Sequence, residues 1–230
     1  MGSIYSPYLI DPVTGAVIRD EAGNPIWDRG ESISSLGIQS RPTGVGRNAI
    51  EEAILNNELT KRNNLGYRFN SDFTIVEGLT ASIVFGQDIQ SSINQSYENP
   101  EVGDGAPTAR FLDERYTRTT ENFNQLITYD KSFGKHNLDL LLGHESFSRN
   151  YSFNSAFKST QTVAGIYELA NFSVVLDAAG YSTDYKLEGY FSRLNYDYDN
   201  RYYLSASVRR DGSSVFTNEK WGNFYSIGGS

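Results

Sequence analysis

The sequence predicts an all-β, antiparallel transmembrane β-barrel segment of about seven strands, and three observations carry that prediction. Apolar and polar residues alternate over stretches longer than an ordinary soluble strand of roughly five or six residues. Tight joins near residues 77, 134 and 200 alternate with long ones at 94–116, 152–184 and 211–221. Helical periodicity is confined to one short stretch.

The first strand reads from Leu65, with Leu65, Tyr67, Phe69, Phe73 and Ile75 on one face and Arg68, Asn70, Asp72 and Thr74 on the other. After Glu77-Gly78, the residues Leu79, Ala81, Ile83 and Phe85 repeat the apolar face against Thr80, Ser82 and Gly86. The same hairpin recurs as Phe123 to Asp130 and Leu138 to Tyr151 around Phe133-Gly134-Lys135. It recurs again as Tyr185 to Tyr198 and Tyr202 to Arg210 around Asp199-Asn200-Arg201, with a seventh strand starting near Trp221.

Antiparallel pairing puts successive connections at opposite ends, so one end of the sheet is trimmed and the other elaborated. Outer-membrane barrels are built this way. Tyr129, Tyr196, Tyr198 and Tyr202 near strand ends suit an interfacial aromatic girdle. A soluble, secreted β-sandwich that binds carbohydrate is the alternative; it predicts shorter strands and no consistent asymmetry between connections.

Ahead of the strands, residues 1–47 read as an extracellular loop carrying a small hairpin, with turns in Asp11 to Ile18 and Asp20 to Trp27. The spacing of their acidic residues does not follow a calcium loop, so turn chemistry explains them better. Residues 48–58 read as a short helix: Asn48 and Glu51 make a capping box, and Ile50, Ala53 and Ile54 share a side. Residues 59–230 are then strands and loops of the barrel.

Composition removes several functions. A net charge of −8 argues against nucleic acid, which needs a clustered basic face. The absence of cysteine removes disulfides and thiolate metal sites and suits an exported chain. Mean hydropathy is −0.48, and the longest apolar runs, such as Leu140-Leu141-Leu142, fall far short of a membrane helix. The start, Met1 to Ser6, has no basic-then-apolar signal, and it matches a myristoylation pattern by spacing only. The chain therefore reads as beginning inside a longer protein.

Chemistry is sparse. His136 and His144 stand apart without cysteine partners, which gives a zinc site little support. The pairs Glu51-Glu52 and Asp113-Glu114 read as solvated faces, and neither a phosphate loop nor a nucleophile elbow occurs. No enzyme, cofactor or metal is expected. Loop residues 94–116 and 152–184, rich in Asn, Ser, Tyr and Phe, are the places where a ligand would touch.

Near the end of the chain, "SVRRDGSSVF" crowds two arginines and an aspartate onto a strand tip. Alternation puts Tyr202, Leu204, Ala206 and Val208 toward lipid and Tyr203, Ser205, Ser207 and Arg209 toward the lumen. That leaves Arg210 at the rim, with Asp211 and Gly212 turning beyond the hydrocarbon and Asp211 able to pair with one of the arginines.

This stretch, Gly189 to Phe216, with Trp221 to Ser230 after it, resembles the barrel of SusC/RagA-like TonB-dependent outer-membrane transporters. Arg209, Arg210, Asp211, Gly212, Ser213, Ser214, Trp221, Gly222 and Phe224 match the family motif. Tyr129 to Glu145 and Val76 to Gly86 resemble its periplasmic hairpins, and the likeness runs over most of residues 41–230. Val215 stands where the family often has Arg, and Tyr225 where Pro is common.

The resemblance implies a 22-stranded barrel with a plug and a TonB-contacting segment, of which this chain is an internal fragment lacking both. It also implies a Gram-negative outer membrane and its lipid as surroundings. The partners it implies are TonB, acting through the plug, and a SusD-like surface lipoprotein, with a glycan or peptide as cargo.

Overall fold

The computed structural model describes residues 7–230; the Met1-Gly2 pattern at the N-terminus lies outside them. Seven antiparallel strands form one sheet in strict sequence order: β1 (Asn57–Val76), β2 (Leu79–Glu98), β3 (Arg110–Phe133), β4 (His136–Gln161), β5 (Phe172–Tyr198), β6 (Tyr202–Ser213) and β7 (Trp221–Gly229). A single α-helix among the described residues, α1 (Ala49–Leu55), precedes them. No helix among the described residues is long and apolar enough to cross a membrane.

The tight joins lie where a left-handed backbone is needed. Gly78 and Gly134 have φ of 83° and 62°, and Asp199 and Asn200 have 53° and 54°. Glycine enters that region without penalty, and Asn and Asp tolerate it better than other side chains. The other ends of the strands are joined by residues 99–109, 162–171 and 214–220.

The strands run further than apolar alternation indicates. Most of 94–116 and 152–184, read from sequence as loop, is ladder: β3 begins at Arg110, β4 continues to Gln161 and β5 begins at Phe172. Residues Asp211 to Ser213 likewise extend β6 instead of turning. At 26 residues and about 3.3 Å per residue, β4 is about 85 Å long, whereas a tilted crossing uses roughly 9–11 residues. In these extensions one side of the ladder is buried, Phe111, Asp113 and Ser159 among its residues, and because that side mixes polar with apolar groups the pairing persists while the apolar alternation stops.

The chain divides into two compact units, and β1 to β5 contribute residues to both. The first contains 1–61, 93–115 and 154–180, and it has a core. Tyr97, Ala109, Phe111 and Phe172 are buried together with Leu169 packed against them, and the Phe111 and Phe172 rings stack at 5.3 Å. Around this core the N-terminal segment folds back in short bridges, Tyr8 to Trp27, Ile10 to Val17 and Arg19 to Pro25.

Turn chemistry accounts for the acidic residues there. Asp11 accepts from the backbone N–H groups of Thr14 and Val13, and Asp20 from that of Asn24; these bonds hold both carboxyls below the usual carboxylate range. Asn48 caps α1 by accepting from the N–H groups of Ile50 and Glu51, while its amide donates to the carbonyls of Pro7 and Asp28 at 2.9 Å.

Glu51 corrects the sequence reading twice. Instead of completing the capping box or facing solvent, its carboxylate is 1% exposed and bonded to Arg29 at 2.6 and 3.0 Å. A buried carboxylate needs such a partner. Asp113 is buried too, held by Arg115 at 2.7 Å and Gln95 at 2.7 Å.

The second unit, 62–92, 116–153 and 181–230, is made of strands and their connections. Among the described residues its outer strands β1 and β7 each leave one edge without a strand partner, as required if the sheet continues into a larger closed one.

Candidate functional site: the two faces of the sheet

Side-chain contacts assign every strand of the second unit to an outward and an inward face. Tyr67 bonds Gln87, Gln87 bonds Glu121, and Ser148 donates to Glu121, which places one outward row across β1 to β4. His144 stacks on Tyr190 at 4.7 Å, and Tyr190 meets Trp221 at 6.1 Å, carrying the row to β5 and β7. Period two then fixes the rest.

The outward face holds an apolar band between two polar-aromatic borders. On β4 the band is Leu138, Leu140 and Leu142, between His136 and His144; on β6 it is Leu204, Ala206 and Val208, between Tyr202 and Arg210. At the short-turn border His136 lies against Phe133, Tyr196 and Tyr198, with ring centroids 5.1, 5.9 and 4.9 Å away, and its Nδ1 is 2.6 Å from the Tyr196 hydroxyl. Leu138 and Leu140 of the band are half-buried, and Leu142, Leu204 and Val208 are exposed. Nothing among the described residues covers them.

Each border is built from groups with an apolar body and a polar tip. Such residues concentrate where hydrocarbon meets water. Eight steps of about 3.3 Å from Tyr202 to Arg210 give about 26 Å along the strand, or about 20 Å across a membrane at a tilt near 40°.

The inward face carries many polar groups bonded to one another. Asn195 donates to Asp139 at 2.9 Å and Asn137 to Asp197 at 3.0 Å; Ser207 and Ser226 are 2.8 Å apart. Near the short turns Asp130, Asp139, Asn195, Asp197 and Tyr203 line a cavity of about 570 Å³.

The motif residues stand where these faces meet the upper border, and each successive one points the other way. Arg209 is inward: its Nε donates to Asp211 at 2.7 and 2.8 Å, its Nη2 to Glu145 at 3.1 Å, and its plane lies 5.3 Å from the Phe191 ring. Arg210 is outward, over the Trp221 ring at 5.1 Å. Asp211 is therefore the partner of Arg209, its neighbour two residues away on the same face.

Gly212 faces Trp221 directly in the β6–β7 register, and a Cβ there would come within 2.9 Å of the indole. Gly189 stands opposite Asp211 for the same reason, since a Cβ would meet that carboxylate at 2.7 Å and Arg209 at 3.0 Å. Ser213 and Ser214 end the strand: Ser213 donates its N–H to the Lys220 carbonyl, and Ser214 exchanges bonds with the Lys186 backbone. Gly222 pairs with Asp211 and Phe224 with Arg209, both on the inward side. The structure thus brings all nine motif residues together as one strand-end knot.

Sequence reasoning missed Glu145 in this knot. It lies 64 residues from Arg209, and only the registration of β4 beside β5 brings it near. Among the described residues no group of three His, Asp or Glu side chains could hold a metal. His144 instead sits 3.2 Å from Glu188, which also accepts from the Tyr190 hydroxyl.

Comparison with known proteins gives the same picture. No protein-family model matches the chain. It is 27% identical over 198 residues to the TonB-dependent receptor P3 of Formosa agariphila, an alignment covering 84% of this chain and 19% of that protein. Over 109 residues it is 32% identical to the TonB-dependent receptor SusC of Bacteroides thetaiotaomicron, covering 46% of this chain and 10% of that receptor.

The RagAB peptide importer in its open-open state superposes with a TM-score of 0.69 and 25% identity, over 77% of this chain and 20% of that one. Its closed-closed state gives 0.73 at 22% identity, over 89% and 23%, a likeness of fold. The chain therefore spans about a fifth of the length of its relatives, and it is similar to the SusC/RagA-like TonB-dependent transporters over a segment of their barrels.

Proposed function

We propose that this chain supplies barrel wall and surface-exposed loops to a TonB-dependent outer-membrane importer of oligosaccharides or peptides. The carrying observation is the two-faced sheet of the second unit, with its exposed apolar band, its polar borders and its open edges. Covering such a face with hydrocarbon recovers about 25 cal/mol for each Å² of apolar surface removed from water. The similarity to TonB-dependent receptors and to the RagAB importer supports the same reading.

In this reading the short turns at 77–78, 134–135 and 199–201 face the periplasm. The segment acts by geometry and carries out no bond chemistry. TonB supplies the energy through a plug, a SusD-like surface lipoprotein captures the cargo, and the inward polar face borders the route. The strand-end knot keeps Arg209 satisfied on that inner face, where a loose guanidinium would otherwise seek other anions.

The test is to fractionate the source cells and follow the polypeptide that contains "SVRRDGSSVF". Recovery with outer membranes, a requirement for detergent and a mass several times 25.7 kDa support the importer. A water-soluble chain of 25.7 kDa overturns it and favours a secreted binding module.

A further inference from the structure

A crevice of about 480 Å³ opens on the outward face where a small side chain interrupts the apolar band. Ser192, between Tyr190 and Leu194 on β5 and paired with Val208 on β6, leaves the gap; Ile127, Leu142 and Val208 wall it, and Arg210 stands at its mouth. Arg209 next door has two carboxylates, whereas Arg210 is in no ion pair of the described residues and lies over the Trp221 ring, opposite Tyr190 in the β5–β6 register. The nearby carboxylate of Glu188 is bonded instead to Tyr190 at 2.6 Å and lies 3.2 Å from His144.

We infer that this crevice is a lipid site, holding one acyl chain of an anionic, phosphate-bearing lipid whose phosphate lies on Arg210. A groove walled by three aliphatic side chains accepts a hydrocarbon chain and little else. A guanidinium stacked on an indole keeps its edge N–H donors free, in the fork that matches a phosphate. Arg210 is placed at the border of the band, at headgroup depth, so a single lipid satisfies chain and charge together. Tyr190 and Trp221 fix the rim at that depth.

This inference rests on the barrel reading, and its test separates the two. The full membrane protein that carries the segment is purified in detergent and mixed with phosphatidylglycerol or with diacylglycerol of the same chains, which has no phosphate, and bound lipid is counted by native mass spectrometry. Phosphatidylglycerol is retained about tenfold more, as a charge-assisted hydrogen bond provides. Arg210→Gln brings the two lipids to parity, Arg210→Lys keeps part of the preference, and Val208→Trp, which fills the crevice, removes both.

Inorganic phosphate at equal concentration leaves the lipid in place. An unchanged ratio in Arg210→Gln overturns the inference, as does full displacement by inorganic phosphate, which would mean an anion site without a chain. Either result in a protein that still needs detergent leaves the barrel reading intact; a protein soluble without detergent overturns that reading instead.

Discussion

The two units of this chain are stabilised in opposite ways. Every buried hydrophobic side chain among the described residues, Leu9, Tyr97, Val102, Ala109, Phe111 and Phe172, belongs to the first unit. The second has long apolar side chains but buries none of them, and its ladder of backbone hydrogen bonds joins strands whose apolar face stays bare. The first unit buries a small apolar core; the second leaves its apolar face to whatever surrounds it, which in the proposed reading is lipid.

The largest effect expected is in the small core. Phe111→Ala removes a ring that is 1% exposed and stacked on Phe172, and it costs about 3–5 kcal/mol, read as early loss of the first unit's near-ultraviolet signal in a urea titration. Removing Phe73, which is 54% exposed, should cost far less in water; comparable losses for the two would erase the contrast between the units.

Next comes the outward band. Leu204→Arg places a charge between Tyr202 and Arg210 and costs about 2–4 kcal/mol when the protein is refolded into vesicles, whereas Ser205→Arg on the inner face costs little. Equal penalties at 204 and 205 would mean that the two faces are not lipid and lumen.

Glu51→Gln tests the most deeply buried carboxylate described in the other unit. Arg29 loses its carboxylate and keeps only a neutral amide, a loss of about 1.5–3 kcal/mol in chemical denaturation. The Arg29→Gln change should be no milder, since it leaves the buried carboxylate unpaired.

The smallest effect is the pH dependence of the Arg47–Glu52 pair. Arg47 holds the Glu52 carboxyl below its ordinary value of 4.5 through a 2.6 Å bond, so its stabilisation is complete above that value and fades as pH falls through the lower, folded one. With Arg47 about half exposed, the discounted effect is about 0.2–1 kcal/mol, and Arg47→Gln should flatten the stability curve of the first unit over that acidic range.

Much of the second unit was legible in the sequence because lipid on one side and water on the other impose period two on the side chains. Leu204, Ala206 and Val208 against Ser205 and Ser207 is that signal. It fails where the buried side of a strand is partly polar: Arg110 to Tyr116 buries Phe111 with Asp113, and Asn154 to Gln161 buries Ser159, so the ladder continues without an apolar alternation and the sequence looks like loop.

The strand-end knot was half legible. That Asp211 shares a face with Arg209 follows from spacing, yet Glu145 enters only through strand order. The burial of Glu51 was hidden because its partner, Arg29, comes from a segment whose path is set by turns and not by periodicity.

The interval between Tyr202 and Arg210 acts as a gauge of membrane thickness. A band about 20 Å tall sits easily in the bacterial outer membrane, which is thinner than average, and poorly in a bilayer whose hydrocarbon core is about 30 Å. Each ångström of mismatch costs a fraction of a kcal/mol, repeated on every strand around a wall. In the proposed reading, the spacing of a few tyrosines, histidines and one arginine thereby matches the thinner of two membranes and mismatches the thicker.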